Sequence, residues 1–129
     1  MGNIKTFLLK FFSVHNFRKL TIWSNAMALA KDVYLSTSSF PKEEKYGLVS
    51  QINRCSVSVP SNIAEGSSRS SNKEFSHYIK ISLGSLYELE TRIILSNEFG
   101  FINTQAVENL TGKIVQLQKM LTRFLKTLE

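Results

Sequence analysis

The stretch "VPSNIAEGSSRSS", Val59 to Ser71, decides how the middle of this 129-residue chain is built. Pro60 removes one backbone donor and crowds the carbonyl of Ser56, which predicts a helix that bends near Ser56 and then continues. Ser56, Ser58 and Ser61 are placed to take up the freed backbone groups. Gly66 predicts the end of that helix, closed by a left-handed residue. Ser71, with Glu74 three residues later, has the capping-box spacing that opens the next helix. The punctuation therefore reads as helix, short turn, helix.

Outward from this turn, apolar residues recur at helical spacing and no strand-like alternation persists. A first helix is predicted over roughly 19–37, with Trp23, Met27, Ala30 and Tyr34 as its apolar stripe. Phe40 and Pro41 turn the chain, and the second helix is expected to begin at Pro41, with Glu43 and Glu44 in its first turn. Its apolar face is Leu48, Ile52, Ser56, Val59 and Ile63. The third helix, about 72–98, presents Phe75, Tyr78, Ile79, Leu86, Leu89 and Ile93. After a turn at Gly100, Phe101 and Ile102, Asn103 is positioned to cap a fourth. That helix carries Val107, Leu110, Ile114, Leu117, Leu121, Phe124 and Leu128. Short connections make consecutive helices antiparallel, so the expected fold is all-α: an up-and-down four-helix bundle over 17–129.

Residues 1–16, "MGNIKTFLLKFFSVHN", form a separate apolar and basic arm. Lys10 breaks its apolar run and no small-residue cleavage site follows, so the arm reads as retained, and no stretch of the chain approaches a membrane span. Phe7, Leu8, Leu9, Phe11 and Phe12 are expected to cover a neighbouring surface.

The formal charge is +6. Residues 1–19 contribute Lys5, Lys10, Arg18 and Lys19 without an acid, and residues 101–129 set four cations against Glu108 and Glu129. The segment between is neutral, so the positive field belongs to the termini and favours polyanions. The lone Cys55 excludes an internal disulfide framework and points to a reducing, cytoplasmic setting.

Catalytic readings find little purchase. Glu74 and His77 form one Glu-x-x-His half-motif, whereas a di-iron bundle needs two with further carboxylates, and His15 is the only other histidine. There is no Gly-rich phosphate loop and no Gly-x-Ser-x-Gly elbow. Cys55, among small helix residues, reads as a packed thiol. No catalytic residue, metal or cofactor is predicted.

The order of "LTIWSNAMALAKDVY", "FPKEEKYGLVSQINR", "SVPSNIAEGSSR", "FSHYIKISLGSLYELE" and "GFI" resembles a bacterial four-helix-bundle family encoded within intervening sequences of large-subunit (23S) ribosomal RNA genes. The similarity spans about Phe17 to Leu128. The resemblance implies a protein without established enzymatic activity that forms rings, commonly homopentamers. A related branch is the accessory protein of diversity-generating retroelements, which binds a reverse transcriptase and nucleic acid.

Two sets of residues follow as candidates. Arg18, Lys19, Lys113, Lys119, Arg123 and Lys126 are the candidate contacts to RNA or DNA. Gln51, Arg54, Ser58, Asn62 and Glu65 on the second helix, with Ser85, Glu88 and Arg92 on the third, form polar stripes expected to meet within the bundle or between subunits. Arg54 is expected to pair with Glu88 or Glu65. Gly84, beside Ser85, is expected to let another helix approach closely. The function expected is a self-associating scaffold that binds nucleic acid through its basic surface. The alternative is a protein-interaction module whose partner docks on the apolar arm.

Overall fold

A computed structural model of the chain describes residues 16–129. Four helices follow one another: α1 (Thr21–Thr37), α2 (Leu48–Ser67), α3 (Asn72–Glu98) and α4 (Thr104–Thr127). Each packs on its neighbour in sequence, and α4 closes against α1, whereas α1 and α3 occupy diagonal corners. This is the expected up-and-down bundle. The expectations for the arm fall, apart from Asn16, outside the described residues.

Antiparallel register is fixed by contacts across the helix pairs. Gln118 donates to Glu90 at 2.9 Å between α4 and α3, and Lys113 reaches Asp32 at 2.6 Å between α4 and α1. Phe75 meets the ring of Phe124 edge-on at 5.4 Å. The fully buried layer is almost wholly aliphatic, with Ile52, Ile63, Ile79, Leu86, Leu89, Ile93, Ile114 and Leu121 around Phe75.

The apolar stripe of α1 lies one residue earlier than the spacing suggested. Ile22, Ala26, Leu29 and Val33 are buried, while Met27 is 47% and Tyr34 65% exposed. Both stripes have helical spacing, but only the inner one is free of heteroatoms. It is flanked by Asn25 and Asp32, which reach α4, and by Thr37, which accepts from Asn53 of α2. Trp23 is half-buried against Phe17, 5.2 Å away.

The entry to α2 also differs. Lys42–Glu44 form a single 3-10 turn, and α2 starts only at Leu48. Pro41 opens that short turn, so its fixed φ serves the connection rather than the helix. Serine and threonine hydroxyls then close helices α1 and α2. Thr37, Ser38 and Ser39 donate to the carbonyls of Tyr34, Leu35 and Ser36, and Ser67 and Ser68 donate to those of Ala64 and Glu65. Orphan carbonyls at a helix end need donors, and here side chains supply them.

Gly66 is consequently no left-handed cap. It lies inside α2, and Gly100 at φ 79° is the positive-φ glycine among the described residues. The reason for Gly66 is space: a Cβ there would stand 2.7 Å from the Cβ of Tyr78 and 2.9 Å from Cδ1 of Phe75. Around Pro60, none of the three serines expected donates a side-chain hydrogen bond to a backbone carbonyl among the described residues, and the side-chain bonds nearby fall on carbonyls whose helical donors Pro60 does not remove. Ser82 donates to the Val59 carbonyl at 2.8 Å and Asn62 to the Ser58 carbonyl at 2.9 Å, while the buried Ser56 hydroxyl has no partner among the described residues. Ser71 and Asn103 cap α3 and α4 by accepting from the N–H groups of Glu74 and Ala106.

Replacing Gly66 by Ala should therefore destabilise the bundle by about 1–3 kcal/mol, the usual result of overpacking a site walled by a backbone-anchored Cβ. Ser56→Ala removes an unsatisfied buried hydroxyl and should leave stability unchanged or raise it by about 1 kcal/mol. Denaturant midpoints of the two variants check both signs.

Candidate functional site

Two polar regions have enough structure to be functional. The first is the seam between α2 and α3. Ser58 and Ser85 share a hydrogen bond of 2.8 Å, and the Asn62 amide donates to the Ser58 hydroxyl at 3.1 Å. Arg92 lies 3.4 Å both from the Glu88 carboxylate and from the Gln51 carbonyl. The Cys55 thiol sits 3.1 Å from the Ser85 carbonyl and 3.7 Å from Glu88.

Arg54 does not join the seam. Glu65 is engaged by Arg69 at 2.9 Å and Glu88 by Arg92, both at the i,i+4 spacing, and Arg54 lies exposed with no ion pair among the described residues. The helical geometry explains this, since a partner one turn away on the same helix is reached without crossing the groove.

Burial pushes the Cys55 thiol up to about 11, and the Glu88 carboxylate adds to the rise while Arg92 opposes it. The group is therefore a neutral thiol at neutral pH and a poor nucleophile.

The second region is the outer face of α3 with the adjoining flank of α4. Lys73, His77, Lys80, Gly84 and Tyr87 follow at steps of four and three, so they share one exposed face of α3. A cleft of about 670 Å³ at the start of α3 is lined by Arg69, Ser71, Lys73, Glu74, His77, Tyr78 and Lys80. Arg69 is held there by Glu65, by a hydrogen bond to the Tyr78 hydroxyl, and by stacking 4.8 Å from the Tyr78 ring. Further along, a cleft of about 550 Å³ lies between Tyr87 of α3 and Val115, Gln118, Lys119, Thr122 and Arg123 of α4.

The alternation of helix direction sorts charge in a way that the linear sequence conceals. One end of the bundle gathers the start of α1, the α2–α3 turn and the end of α4. When the helices are divided near their midpoints, residues 16–29, 58–85 and 116–129 carry eight Lys and Arg against three carboxylates. Residues 30–57 and 86–115 carry six against seven. The field is thus concentrated at one end.

The sequence-predicted cations divide accordingly. Lys119, Arg123 and Lys126 lie on α4 at this end, and Arg18 and Lys19 lie there on the 3-10 turn before α1. Lys113 is elsewhere, in its ion pair with Asp32 beside a smaller cleft between α1 and α4. Arg69, Lys73, Lys80 and Tyr87 were missed by sequence reasoning because the central segment is neutral overall. Their i+3/i+4 recurrence was the available signal. Gly84 has no helix near it, since a Cβ there would meet nothing within 4 Å.

Among the described residues no group of three or more His, Cys, Asp and Glu could hold a metal, and no helix is long and apolar enough to cross a membrane.

Residues 18–123 match the model of the 23S rRNA-intervening sequence protein family. The chain belongs to that family. A crystal structure of a protein of unknown function from the S23 ribosomal protein family of Bacteroides thetaiotaomicron shares the fold. Its TM-score is 0.74 at 19% identity, covering 82% of this chain and 99% of that one. No curated protein matches. The family match runs from Arg18 to Arg123, taking in α1, α2, α3 and most of α4 with both the seam and the α3 face, and neither it nor the structural neighbour indicates an enzymatic activity.

The seam gives a pH test. A folded thiol with a pKa raised from 9.0 to about 11 binds its proton more tightly than the unfolded chain does. Its contribution is complete below pH 9 and is lost as pH rises toward about 11. Wild type should lose more stability across that window than Cys55→Ala, measured by urea unfolding at each pH. In the native protein the thiol should resist alkylation at pH 8 and react at once on unfolding.

Proposed function

We propose that this chain is a non-enzymatic, self-associating scaffold that binds RNA or DNA through the α3–α4 face at the basic end of its bundle. The observation that carries the reading is that Lys73 and Lys80 of α3 and Lys119, Arg123 and Lys126 of α4 lie on adjacent helices toward the same end of the bundle, the end that also holds the constrained guanidinium of Arg69. Cations spread over two adjacent helices neutralise several phosphates at once, and the release of their counterions drives association. Glu74, in the cleft of Arg69, is the one carboxylate lining either cleft among the described residues.

Self-association is supported by the outer stripe of α1. Met27 and Tyr34 are exposed there, and Val57 on the adjoining helix α2 is 55% exposed, an apolar surface that water does not favour. This stripe lies on α1 and the adjoining α2, whereas the basic face lies on α3 and α4, so the two surfaces use different helices. In a ring, the assembly that the family resemblance implies, the basic end is repeated around an axis and weak phosphate contacts act together. The single unpaired cysteine suits a reducing cytoplasm.

Light scattering should give a mass several times the 14.7 kDa of one chain, reduced by Met27→Lys with Tyr34→Lys. Single-stranded RNA binding should weaken linearly with log salt. Replacing Lys119, Arg123 and Lys126 by Ala should lower the slope by about 2, at roughly 0.7 per phosphate contact. Binding that ignores salt, or a triple variant with an unchanged slope, would reject the basic face.

A further inference from the structure

Within the nucleic-acid reading, on which this inference rests, the structure also bears on which form of nucleic acid the α3 face accepts. We infer that α3 is a track for a single strand, with Tyr87 as the platform on which an unpaired base stacks.

Tyr87 is the first observation. Its ring is 54% exposed in the middle of a long helix, and its hydroxyl has no partner among the described residues. It forms one wall of the cleft whose other wall is Lys119 and Arg123 of α4. Cations beside an open aromatic face are the arrangement that binds a strand without reading its sequence: the cations take phosphates and the ring takes a base. Thr122 and Gln118 line the same cleft with their donors already engaged, Thr122 on the Gln118 carbonyl and Gln118 on Glu90, so the open groups there are the Tyr87 ring and the two cations.

The second observation is the path that leads to Tyr87. Lys73, His77 and Lys80 lie on the same face of α3 and line the cleft at its start, and the 14 residues from Lys73 to Tyr87 span about 21 Å at 1.5 Å each. That length holds no more than about six nucleotides at the stacked rise of roughly 3.4 Å. Between the two clefts stands Gly84, the residue that a helix interior tolerates least after proline. Nothing in the chain presses on it, so the intramolecular packing that explains Gly66 does not explain Gly84. An open position between Lys80 and Tyr87 lets a phosphodiester backbone lie close against the helix. A side chain there would lift the strand away from the ring.

A duplex fits this surface poorly. Its bases are stacked on each other and its outer surface is phosphate, so the Lys residues could be used but Tyr87 could not. Preference for the single strand is therefore the signature of the track, whereas salt dependence alone is the signature of the basic face.

The test uses the full chain, a 12-nucleotide unstructured RNA labelled at one end, and the same strand annealed to its complement, with anisotropy read at one salt concentration. Wild type should bind the single strand about tenfold or more tightly than the duplex, and Tyr87→Ala should lose that margin while keeping duplex affinity. Tyr87→Phe should retain it, because stacking needs the ring and not the hydroxyl. Gly84→Leu should weaken the single strand and spare the duplex. A 2-aminopurine placed in the strand should be quenched by wild type and Tyr87→Phe and not by Tyr87→Ala. Equal binding of both forms, or a Tyr87→Ala protein indistinguishable from wild type, would overturn the track and leave the basic-face reading intact. A Tyr87→Ala protein that loses assembly mass along with binding would also overturn it, since Tyr87 would then be a subunit contact. A wild type that binds neither form removes the nucleic-acid reading itself.

Discussion

The close approach of α2 and α3 at Gly66 is the constraint on which the rest depends. With only a hydrogen at that position, Phe75 and Tyr78 can press on the α2 backbone within four residues of the turn. Phe75 then reaches Phe124, which seats the end of α4 against the start of α3. Tyr78 meanwhile receives the Arg69 guanidinium. One missing methyl group thus fixes the helix pairing and orients the cation that opens the basic cleft. The Val59 carbonyl, next to Pro60, extends the same packing, because the buried Ser82 hydroxyl reaches it.

Topology converts this local packing into an electrostatic property. An antiparallel bundle brings residues far apart in sequence to the same end, and here the charged ones among them are mostly cationic. Apart from Glu74, which stays in the cleft at the basic end, the acids of the central segment are placed at the other end or tied to a neighbour. Glu65 and Glu88 are occupied by an arginine one turn on, Asp32 by Lys113, and Glu90 by Gln118. Exposed pairs of this kind add little to stability, about 0.3–0.5 kcal/mol for an i,i+4 pair. Their larger effect is on the field, because a carboxylate satisfied locally attracts fewer mobile cations, and Lys73, Lys80, Lys119 and Lys126 carry no ion pair among the described residues.

The all-α bundle, the bounds of α3 and the caps at Ser71 and Asn103 were legible because periodicity and capping chemistry are local. The phase of α1 was not. Trp23, Met27, Ala30 and Tyr34 have the same spacing as Ile22, Ala26, Leu29 and Val33, and the difference lies in what α2 and α4 offer to either side. Gly66 was misread for a related reason: a glycine at a helix end and a glycine under an aromatic ring look alike until the next helix is in place. Pro41 precedes a 3-10 turn instead of α2, and the Phe40 ring before it is buried at a tilt 5.8 Å from Phe101, a tertiary contact that local spacing does not reveal. The polar stripes illustrate both cases. That the two stripes could meet follows from helical geometry, and Ser58 and Ser85 do so, but Arg54 could not be excluded without knowing that Glu65 and Glu88 had nearer partners.

Gly66 and Gly84 separate what the fold requires from what the fold leaves over. Both lie inside helices where alanine is preferred by about 1 kcal/mol. At Gly66 the crowding of Phe75 and Tyr78 more than offsets that cost, so the residue belongs to the architecture. At Gly84 no contact within the chain offsets it. The same holds for Tyr87, whose exposed ring gains nothing from the core, and for Lys73, His77 and Lys80, which have no ion pair among the described residues. Five successive positions on one face of one helix thus contribute little to folding, and they are bordered by two clefts and by the cations of α4. A surface that is neutral to stability along its whole length is free to be shaped by what it binds, and its chemistry, cationic at one end and aromatic at the other, is that of a charged chain carrying flat rings.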